Sequence, residues 1–236
     1  MIPLVTLLLA TPVFGFTLEA PLPQPAMHVG ERAAAPSARL SPMFAAALAA
    51  DTDAGAGADT YRKETKRRNA LAKQHRLLGL STWAAMTATI ALGAIQYYNL
   101  YGFFDDAGSN PCVTGDAIFG QGQCYGTPWP HLIAASVTTA LYATTFTVSL
   151  LMPDPDDLAN SKGEFADTLR MHKLLRWVHF GGMLAQLALG VVIATDVASL
   201  DRANDYGTLQ TLATVHLATG LVTYGAMTWA GALMTF

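Results

Sequence analysis

The stretch "LAKQHRLLGLSTWAAMTATIALG", residues 71–93, occurs a second time in altered form as "LRMHKLLRWVHFGGMLAQLALG", residues 169–190. In both, a histidine is followed by a basic residue and two leucines. Counted from that histidine, a methionine lies eleven positions on, and a Leu-Gly pair lies seventeen and eighteen positions on. Each segment is long and apolar enough for a helix that crosses a membrane. A histidine repeated at the start of such a helix is the first indication of both fold and function.

The composition is that of a membrane protein. Of the 236 residues, 52% are hydrophobic and 13% are charged, whereas a soluble domain carries about 25% charged residues. Four runs lack Lys, Arg, Asp and Glu, and each has the length, about 20 residues, that crosses a hydrocarbon core of about 30 Å as a helix. They are residues 77–98, 132–152, 177–195 and 209–236. The sequence therefore predicts an all-α protein, a transmembrane four-helix bundle.

Basic residues lie almost entirely on one side of the predicted bundle, with only Arg202 on the other. Because Lys and Arg concentrate in cytoplasmic loops, the basic stretch before the first span and the C-terminus are predicted to be cytoplasmic. Loops 99–130 and 198–208 then face outward from a bacterial-type inner (plasma) membrane. The predicted partner is the lipid bilayer, and no nucleic-acid partner is predicted. The eleven residues on the basic side are Arg62, Lys63, Lys66, Arg67, Arg68, Lys73, Arg76, Lys162, Arg170, Lys173 and Arg176.

Three segments are predicted along the chain. Residues 1–16 form an apolar segment that resembles a signal peptide or short anchor, although the true start could instead be Met27 or Met43. Residues 17–60, rich in Pro, Ala, Gly and Asp, are predicted to be a disordered linker. Residues 61–236 form the four-span membrane domain.

The spans repeat in pairs. Spans one and three match at an offset of 97 residues, and spans two and four match at 85, through "HLIAASVTTALY" (131–142) and "HLATGLVTYGAM" (216–227). The bundle is therefore predicted to consist of two tandem helix hairpins. Chance similarity among low-complexity apolar helices is the alternative explanation.

Histidines in the spans predict the site. Ionisable groups at such positions are costly and mark function by default. His75 and His172 lie at the inner level, whereas His131 and His216 lie in the outer half, so alternate helices offer one pair near each face. A pair of imidazoles across a helical bundle can hold a haem iron at both axial positions. The helical faces below these histidines carry small or lightly polar residues, which leave room for a macrocycle.

Span three offers a second histidine. His179 lies seven residues after His172 on the same helical face, and Gly182 gives it more room, so it is the alternative ligand. The repeat favours His172. Arg176, between the two, is predicted to hold a haem propionate, because a guanidinium suits a carboxylate.

Cys112 and Cys124 both lie in the first outward loop. An oxidising compartment preserves disulfides, so the two are predicted to be bonded. A metal or redox pair is the alternative, but no further His or Cys lies nearby.

These residues resemble the cytochrome b561 family. The likeness rests on "HRLLG" (75–79), "HLATG" (216–220) and "AQLALG" (185–190), and on histidines in four successive spans, and it covers residues 72–236. The resemblance implies two b-type haems, one held by His75 and His172 and the other by His131 and His216. It implies transmembrane electron transfer by a membrane oxidoreductase or electron carrier, with the iron centres about 20 Å apart for these depths.

Other functions remain open at this point. The donor and acceptor would include quinone or a periplasmic redox protein, in a homodimer or a larger respiratory complex. A haem-free anchor or assembly subunit is the first alternative, and a small proton-coupled transporter is the second. Both predict a colourless protein, so visible absorption distinguishes them from a cytochrome.

Overall fold

The computed structural model describes residues 42–158, 160–199 and 204–234. Backbone contacts divide the chain into Met1–Ala47 and Leu48–Phe236, and the contacts described below lie in the second unit. The described residues are helical and contain no strand. Their elements are α1 (Pro42–Tyr101), α2 (Pro111–Thr114), a 3-10 turn (Gln121–Cys124), α3 (Trp129–Leu150), α4 (Glu164–Ser199) and α5 (Tyr206–Leu233).

Three helices are long and apolar enough to cross a membrane: Gly57–Tyr101 of α1, Trp129–Leu150, and Glu164–Ala194 of α4. In the most apolar 18-residue stretch of each, only 11%, 11% and 6% of the residues are buried, respectively. Several large apolar side chains along these helices are exposed, among them Leu77, Leu132 and Leu184, where water would oppose their exposure but lipid would not. The chain is therefore a multi-pass membrane protein, as its composition predicted.

Helix α5 is not among these three. It carries no charged residue between Tyr206 and Leu233, but six threonines, Gln210 and His216 lower its hydropathy. The prediction of four spans is thus supported for three helices, and for α5 it stays a prediction.

Helix α1 begins at Pro42, well before the boundary predicted at Tyr61. The prediction of a disordered linker over 17–60 is therefore wrong for 42–60. This segment contains eight alanines, the strongest helix formers, and proline at the first helical position is compatible with a helix start. Residues 1–41, including the signal-like segment 1–16, lie outside the described part of the chain.

Threonine hydroxyls join α1 to α3. Thr82 Oγ1 and Thr145 Oγ1 lie 3.0 Å apart, and Thr89 Oγ1 and Thr138 Oγ1 lie 2.8 Å apart. Thr82 and Thr138 are 1% and 2% exposed, so these contacts lie inside the protein. Small hydroxylated residues let helices approach closely in a membrane and bond across the interface. Thr82 and Thr138 lie on the helical faces of His75 and His131, so these faces point inward there.

Helices α1 and α5 are also bonded to each other. Tyr97 OH and Thr214 Oγ1 lie 2.7 Å apart, and the Trp83 indole donates to Thr228 Oγ1 at 3.1 Å. These two contacts are far apart along α1, so the helices remain close over many turns.

Helix α4 packs tightly against α5 at Gly182. A Cβ atom at this position would overlap the side chain of Thr223, whereas at the neighbouring Gly181 it would meet open space. Thr223 is 2% exposed and has little room to move. Gly182 is therefore required by the packing and Gly181 is not.

Replacing Gly182 with valine is expected to destabilise the protein by about 1–3 kcal/mol, because overpacking a close helix contact forces the backbones apart. Thermal unfolding in detergent measures the effect, and Gly181→Val is the matched control. Equal melting temperatures for the two variants would contradict the assigned contact.

The two ends of the helices differ in chemistry. At one end, Asp154 lies 3.2 Å from Arg68 and 3.4 Å from Lys173, which brings the start of α4 and the 151–163 connection to the basic part of α1. At the other end, Asn99 of α1 is 0% exposed and bonds both the backbone N–H and the carbonyl of Ile118. The grouping of basic segments at one end agrees with the predicted charge asymmetry.

Cys112 and Cys124, the two cysteines that the sequence analysis pairs, are joined by a disulfide in the loop at the Asn99 end. The bond links α2 to the 3-10 turn. It closes a small, turn-rich loop and thereby limits the conformations available to the unfolded loop.

Candidate functional site

His75 of α1 and His172 of α4 form the first pair, at the end of the helices that carries Arg68. Their ring centroids lie 6.1 Å apart, with the ring planes at 90°. Both side chains are half-buried. The structure thus brings together two histidines that are 97 positions apart and that the repeat had matched.

His131 of α3 and His216 of α5 form the second pair. Their centroids lie 6.2 Å apart, with the planes at 85°. The two pairs therefore have nearly the same geometry, although they come from different helices. All four histidines predicted as ligands are in a pair, and each pair joins alternate long helices.

This spacing fits a metal ion bound between the rings. A metal–nitrogen bond of about 2.0 Å and an imidazole radius of about 1.1 Å, set by ring bonds of about 1.33 Å, place two centroids about 6.2 Å apart. The perpendicular planes are compatible with such binding, because each ring can turn about the axis through the metal. Two unliganded rings in edge-to-face contact have a similar spacing, about 4.5–7 Å, so hydrogen bonding must distinguish the two cases.

The second ring nitrogen of three of these histidines is bonded to a backbone carbonyl. Nδ1 of His75 lies 3.3 Å from Thr145 O, and Nδ1 of His131 lies 3.1 Å from Thr89 O. Nδ1 of His172 lies 2.8 Å from the carbonyl of residue 230. A carbonyl only accepts, so Nδ1 carries the proton and Nε2 keeps its lone pair. This is the arrangement that orients a metal-binding imidazole.

Each pair offers a metal two protein ligands. Among the residues that the structure describes, no group of three or more His, Cys, Asp or Glu side chains could hold a metal. Zinc sites take three or four protein ligands. A haem iron needs only two, because the macrocycle supplies four nitrogens. Two imidazoles are the number of axial ligands that a protein contributes to such a haem site.

Arg176 supports the same interpretation. Its Nε atom is buried and lacks a hydrogen-bond partner among the described residues, and its guanidinium lies 5.2 Å from the ring centroid of Trp177. A buried, unpaired guanidinium nitrogen is costly. A carboxylate one helical turn from His172 would satisfy it, and haem carries carboxylates as propionates.

His179 has a different partner. Its Nδ1 lies 2.8 Å from the hydroxyl of Tyr142, which is 6% exposed. It is not paired with a second imidazole in the way that His172 is paired with His75. The geometry thus favours His172 as the first-pair ligand, the choice to which the repeat pointed.

Gly93 leaves the space that the His131 ring occupies. A Cβ atom at Gly93 would lie 2.9 Å from Cε1 of His131, closer than real Cβ contacts come. The repeat-related Gly190 also faces the ring of His216, but a Cβ atom there would lie 3.7 Å from it, in ordinary van der Waals contact. The Leu-Gly pair noted in the sequence therefore ends each repeat where a histidine from the neighbouring helix packs.

A layer of large apolar side chains separates the two pairs. Met86, Tyr142 and Met183 are buried at its centre. The side chains packed around them are Ile90, Phe146, Phe180, Tyr224 and Met227. Along α1, His75 and the Thr89 carbonyl that binds His131 are fourteen residues apart, which corresponds to about 21 Å. Large apolar side chains therefore make up most of this layer.

Some of the site was not predicted. The carbonyls that orient the rings come from Thr89, Thr145 and residue 230, and Gln186 donates from Nε2 to the backbone carbonyl of His216 at 2.7 Å. Backbone carbonyls leave no signal in the sequence. Gln186 does leave one, since it is an amide in an apolar span and stands where the repeat has Thr89.

Comparison of the chain with protein-family models, with curated proteins and with solved structures found no match.

Proposed function

We propose that this chain is a membrane cytochrome of the b561 type. It binds two b-type haems, one at His75 and His172 and the other at His131 and His216, and it carries single electrons across the membrane. One observation carries the proposal: two imidazole pairs, both spaced for one metal ion, lie on alternate helices at two levels.

The architecture in this proposal is a four-helix bundle of two tandem hairpins, α1–α3 and α4–α5, with α5 as the fourth span. Four sets of contacts support it. The hydroxyls of Thr89 and Thr138 join α1 to α3, and Tyr142 and His179 join α3 to α4. Gln186 joins α4 to α5, and further bonds join α5 back to α1.

Haem iron held by two imidazoles supplies reversible one-electron chemistry. The chain supplies the rest. Backbone carbonyls fix the proton on Nδ1 of three histidines, so that Nε2 is ready to bind without a change of tautomer. Arg176 would neutralise a carboxylate of the bound haem. The layer around Met86 and Tyr142 keeps water out, which removes the solvent reorganisation that would slow electron transfer.

The proposal also places the chain in a membrane and assigns its sides. The end with Arg68 and Lys173 is cytoplasmic and the disulfide loop is periplasmic, because basic residues favour the cytoplasmic side and disulfides persist outside it. Quinone or a periplasmic redox protein would be the redox partner. A homodimer or a larger respiratory complex would provide the setting.

One observation favours a second candidate, the haem-free anchor subunit. Perpendicular ring planes are also what two imidazoles adopt in direct edge-to-face contact. In that case the pairs would only join helices, and the purified protein would have no absorption in the visible region.

Electron transfer is tested in vesicles. The purified protein is reconstituted into liposomes that contain ferricyanide, and an impermeant reductant such as dithionite is added outside. We expect ferricyanide to be consumed many times faster than in protein-free vesicles. The variant His131→Ala is expected to lose this activity, because it lacks one of the two ligands of the second haem. Equal rates with and without the protein would contradict the proposed function.

A further inference from the structure

We propose that the disulfide loop between α1 and α3, residues 102–128, is the docking surface for a soluble, positively charged one-electron carrier. This inference rests on the proposed function, because it assigns the partner that exchanges electrons with the second pair. In the exchange, one electron passes from ferrous iron at the second pair to the oxidised carrier. No covalent bond forms or breaks, and no proton moves.

Three phenylalanines of this loop have a left-handed backbone. The φ angles of Phe103, Phe104 and Phe119 are 51°, 95° and 64°. Bulky residues rarely adopt a positive φ, and such outliers cluster at functional sites. Glycine would adopt these angles with less strain. The backbone of the loop therefore does not explain why these residues are phenylalanines.

Packing does not explain them either, because the same three side chains are exposed. Phe103, Phe104 and Phe119 are 51%, 71% and 66% exposed. The first two rings lie against the ring of Tyr97, whereas Phe119 contacts no other ring among the residues that the structure describes. Aromatic side chains dominate the centres of protein–protein interfaces, so an interface is the role that fits them.

Buried contacts fix the backbone next to these phenylalanines. Asn99 is 0% exposed and holds both the N–H and the carbonyl of Ile118, directly before Phe119. The carbonyl of Asp105, which directly follows the other two phenylalanines, accepts a bond from the Tyr206 hydroxyl at 2.9 Å. The rings are thus presented by a preorganised loop, and preorganisation lowers the entropic cost of binding.

The charge around the phenylalanines is negative. Asp105, Asp106 and Asp116 lie in the loop and are exposed, and residues 99–130 include no Lys or Arg. Loops 99–130 and 198–208 together have five aspartates and one basic residue, Arg202. Aromatic side chains with carboxylates around them are complementary to a carrier whose surface is basic.

The loop also lies next to the second pair. Helix α1 ends at Tyr101, eight residues after Gly93, which corresponds to about 12 Å. A Cβ atom at Gly93 would lie 2.9 Å from the His131 ring. Helix α3, which carries His131, begins directly after the loop at Trp129. A carrier docked on the loop is therefore at the end of the helices that is closer to the second pair than to the first.

A lipid surface is the other partner that exposed aromatic side chains fit. The aspartates argue against it. Membrane surfaces are negatively charged and attract basic segments, whereas Asp105 and Asp106 directly follow Phe104 and would enter the interface with it. A basic soluble protein suits both the rings and the carboxylates.

The charge is tested with a basic cytochrome c as the probe. Its binding to the full-length chain is measured in nanodiscs of zwitterionic phosphatidylcholine, with empty nanodiscs as the blank. We expect saturable binding that weakens from about 10 mM to about 100 mM salt, because the Debye length falls from about 30 Å to about 10 Å. The double variant Asp106→Asn/Asp116→Asn is expected to slow association and to reduce its dependence on salt.

The matched control for the charge is Asp59→Asn/Glu64→Gln. It removes two exposed carboxylates from the basic end of α1, so the net charge of the chain changes by the same amount. This variant is expected to leave the binding of the cytochrome unchanged.

The ring is tested with Phe119→Asn. Asparagine adopts a positive φ more readily than phenylalanine, so the melting temperature is expected to stay the same or to rise. The dissociation constant is expected to rise at least about fivefold, as it does for an aromatic residue at the centre of an interface. A purely structural Phe119 would show the reverse, a lower melting temperature with unchanged binding. The control is Phe165→Asn, at an exposed phenylalanine of the basic end, which should not alter binding.

A haem-containing protein whose binding of the cytochrome changes in neither loop variant would overturn the inference and leave the proposed function intact. A nitroxide label on Phe119→Cys would do the same if dissolved oxygen relaxed it more than a water-soluble nickel complex. Oxygen concentrates in lipid, so the loop would then lie in the membrane. A protein without haem would overturn the proposed function itself, and the inference with it.

Discussion

Replacing His172 with alanine is expected to lower the haem content from about two per chain to about one. The variant removes one of the two ligands of the first pair, whose rings lie 6.1 Å apart, and a single imidazole holds b-type haem much more weakly than two. The second pair shares no ligand with it and should keep its haem. A pyridine haemochrome assay on purified protein, divided by the protein concentration, measures the ratio.

His179→Ala is the matched control, because it removes the same side chain seven residues along the same helix. It breaks the contact with Tyr142 but leaves both imidazole pairs unchanged, so this variant is expected to retain about two haems. If His179→Ala lost haem and His172→Ala kept both haems, the ligand opposite His75 would be His179. The assigned first pair would then be wrong.

Replacing Gly93 with valine is expected to remove the haem of the second pair and leave that of the first. A Cβ atom at Gly93 would lie 2.9 Å from Cε1 of His131, and the valine methyls extend further. The ring must move, whereas metal–ligand distances tolerate only about 0.2 Å. The same haem assay should give about one haem per chain.

The control for this substitution is Gly225→Val in α5. Gly225 is exposed, and a Cβ atom there would meet nothing within 4 Å. Both haems are expected to remain. If Gly93→Val also kept both haems, His131 would not depend on the space at Gly93, and the assigned geometry of the second pair would be contradicted.

Much of the site was predictable because the chain repeats itself. Offsets of 97 and 85 residues relate the spans of the two hairpins and place matching histidines at matching depths. The repeat of His75 at His172 and of His131 at His216 was therefore sufficient to predict which rings meet. The apolar runs were sufficient to predict the helices, because length and lack of charge define a span.

Other features depend on information that the repeat does not contain. His172 and His179 lie on one helical face, so periodicity could not separate them, and the choice depends on Tyr142, which belongs to another helix. The early start of α1 was missed because the glycines and aspartates of 42–60 were given more weight than the alanines. Helix propensity averaged over that segment would have favoured the helix.

The different environment of His216 became apparent only in the fold, where its Nδ1 has no hydrogen-bond partner among the described residues. Aligning the repeat places Gln186 opposite Thr89 and Gly220 opposite Ala135. The Gln186 amide donates to the backbone carbonyl of His216, and only the packed helices determine that direction. Likewise, Arg176 was predicted as a partner for a carboxylate, but the lack of a partner for its Nε became apparent only in the fold.

The most direct test is the cofactor content of the purified wild-type chain, measured together with low-temperature electron paramagnetic resonance of the oxidised protein. The account predicts about two b-type haems per 25.0 kDa chain, both low-spin with two imidazole ligands. A colourless protein, or one whose haem is high-spin and remains bound when His75 and His131 are both replaced by alanine, would contradict it.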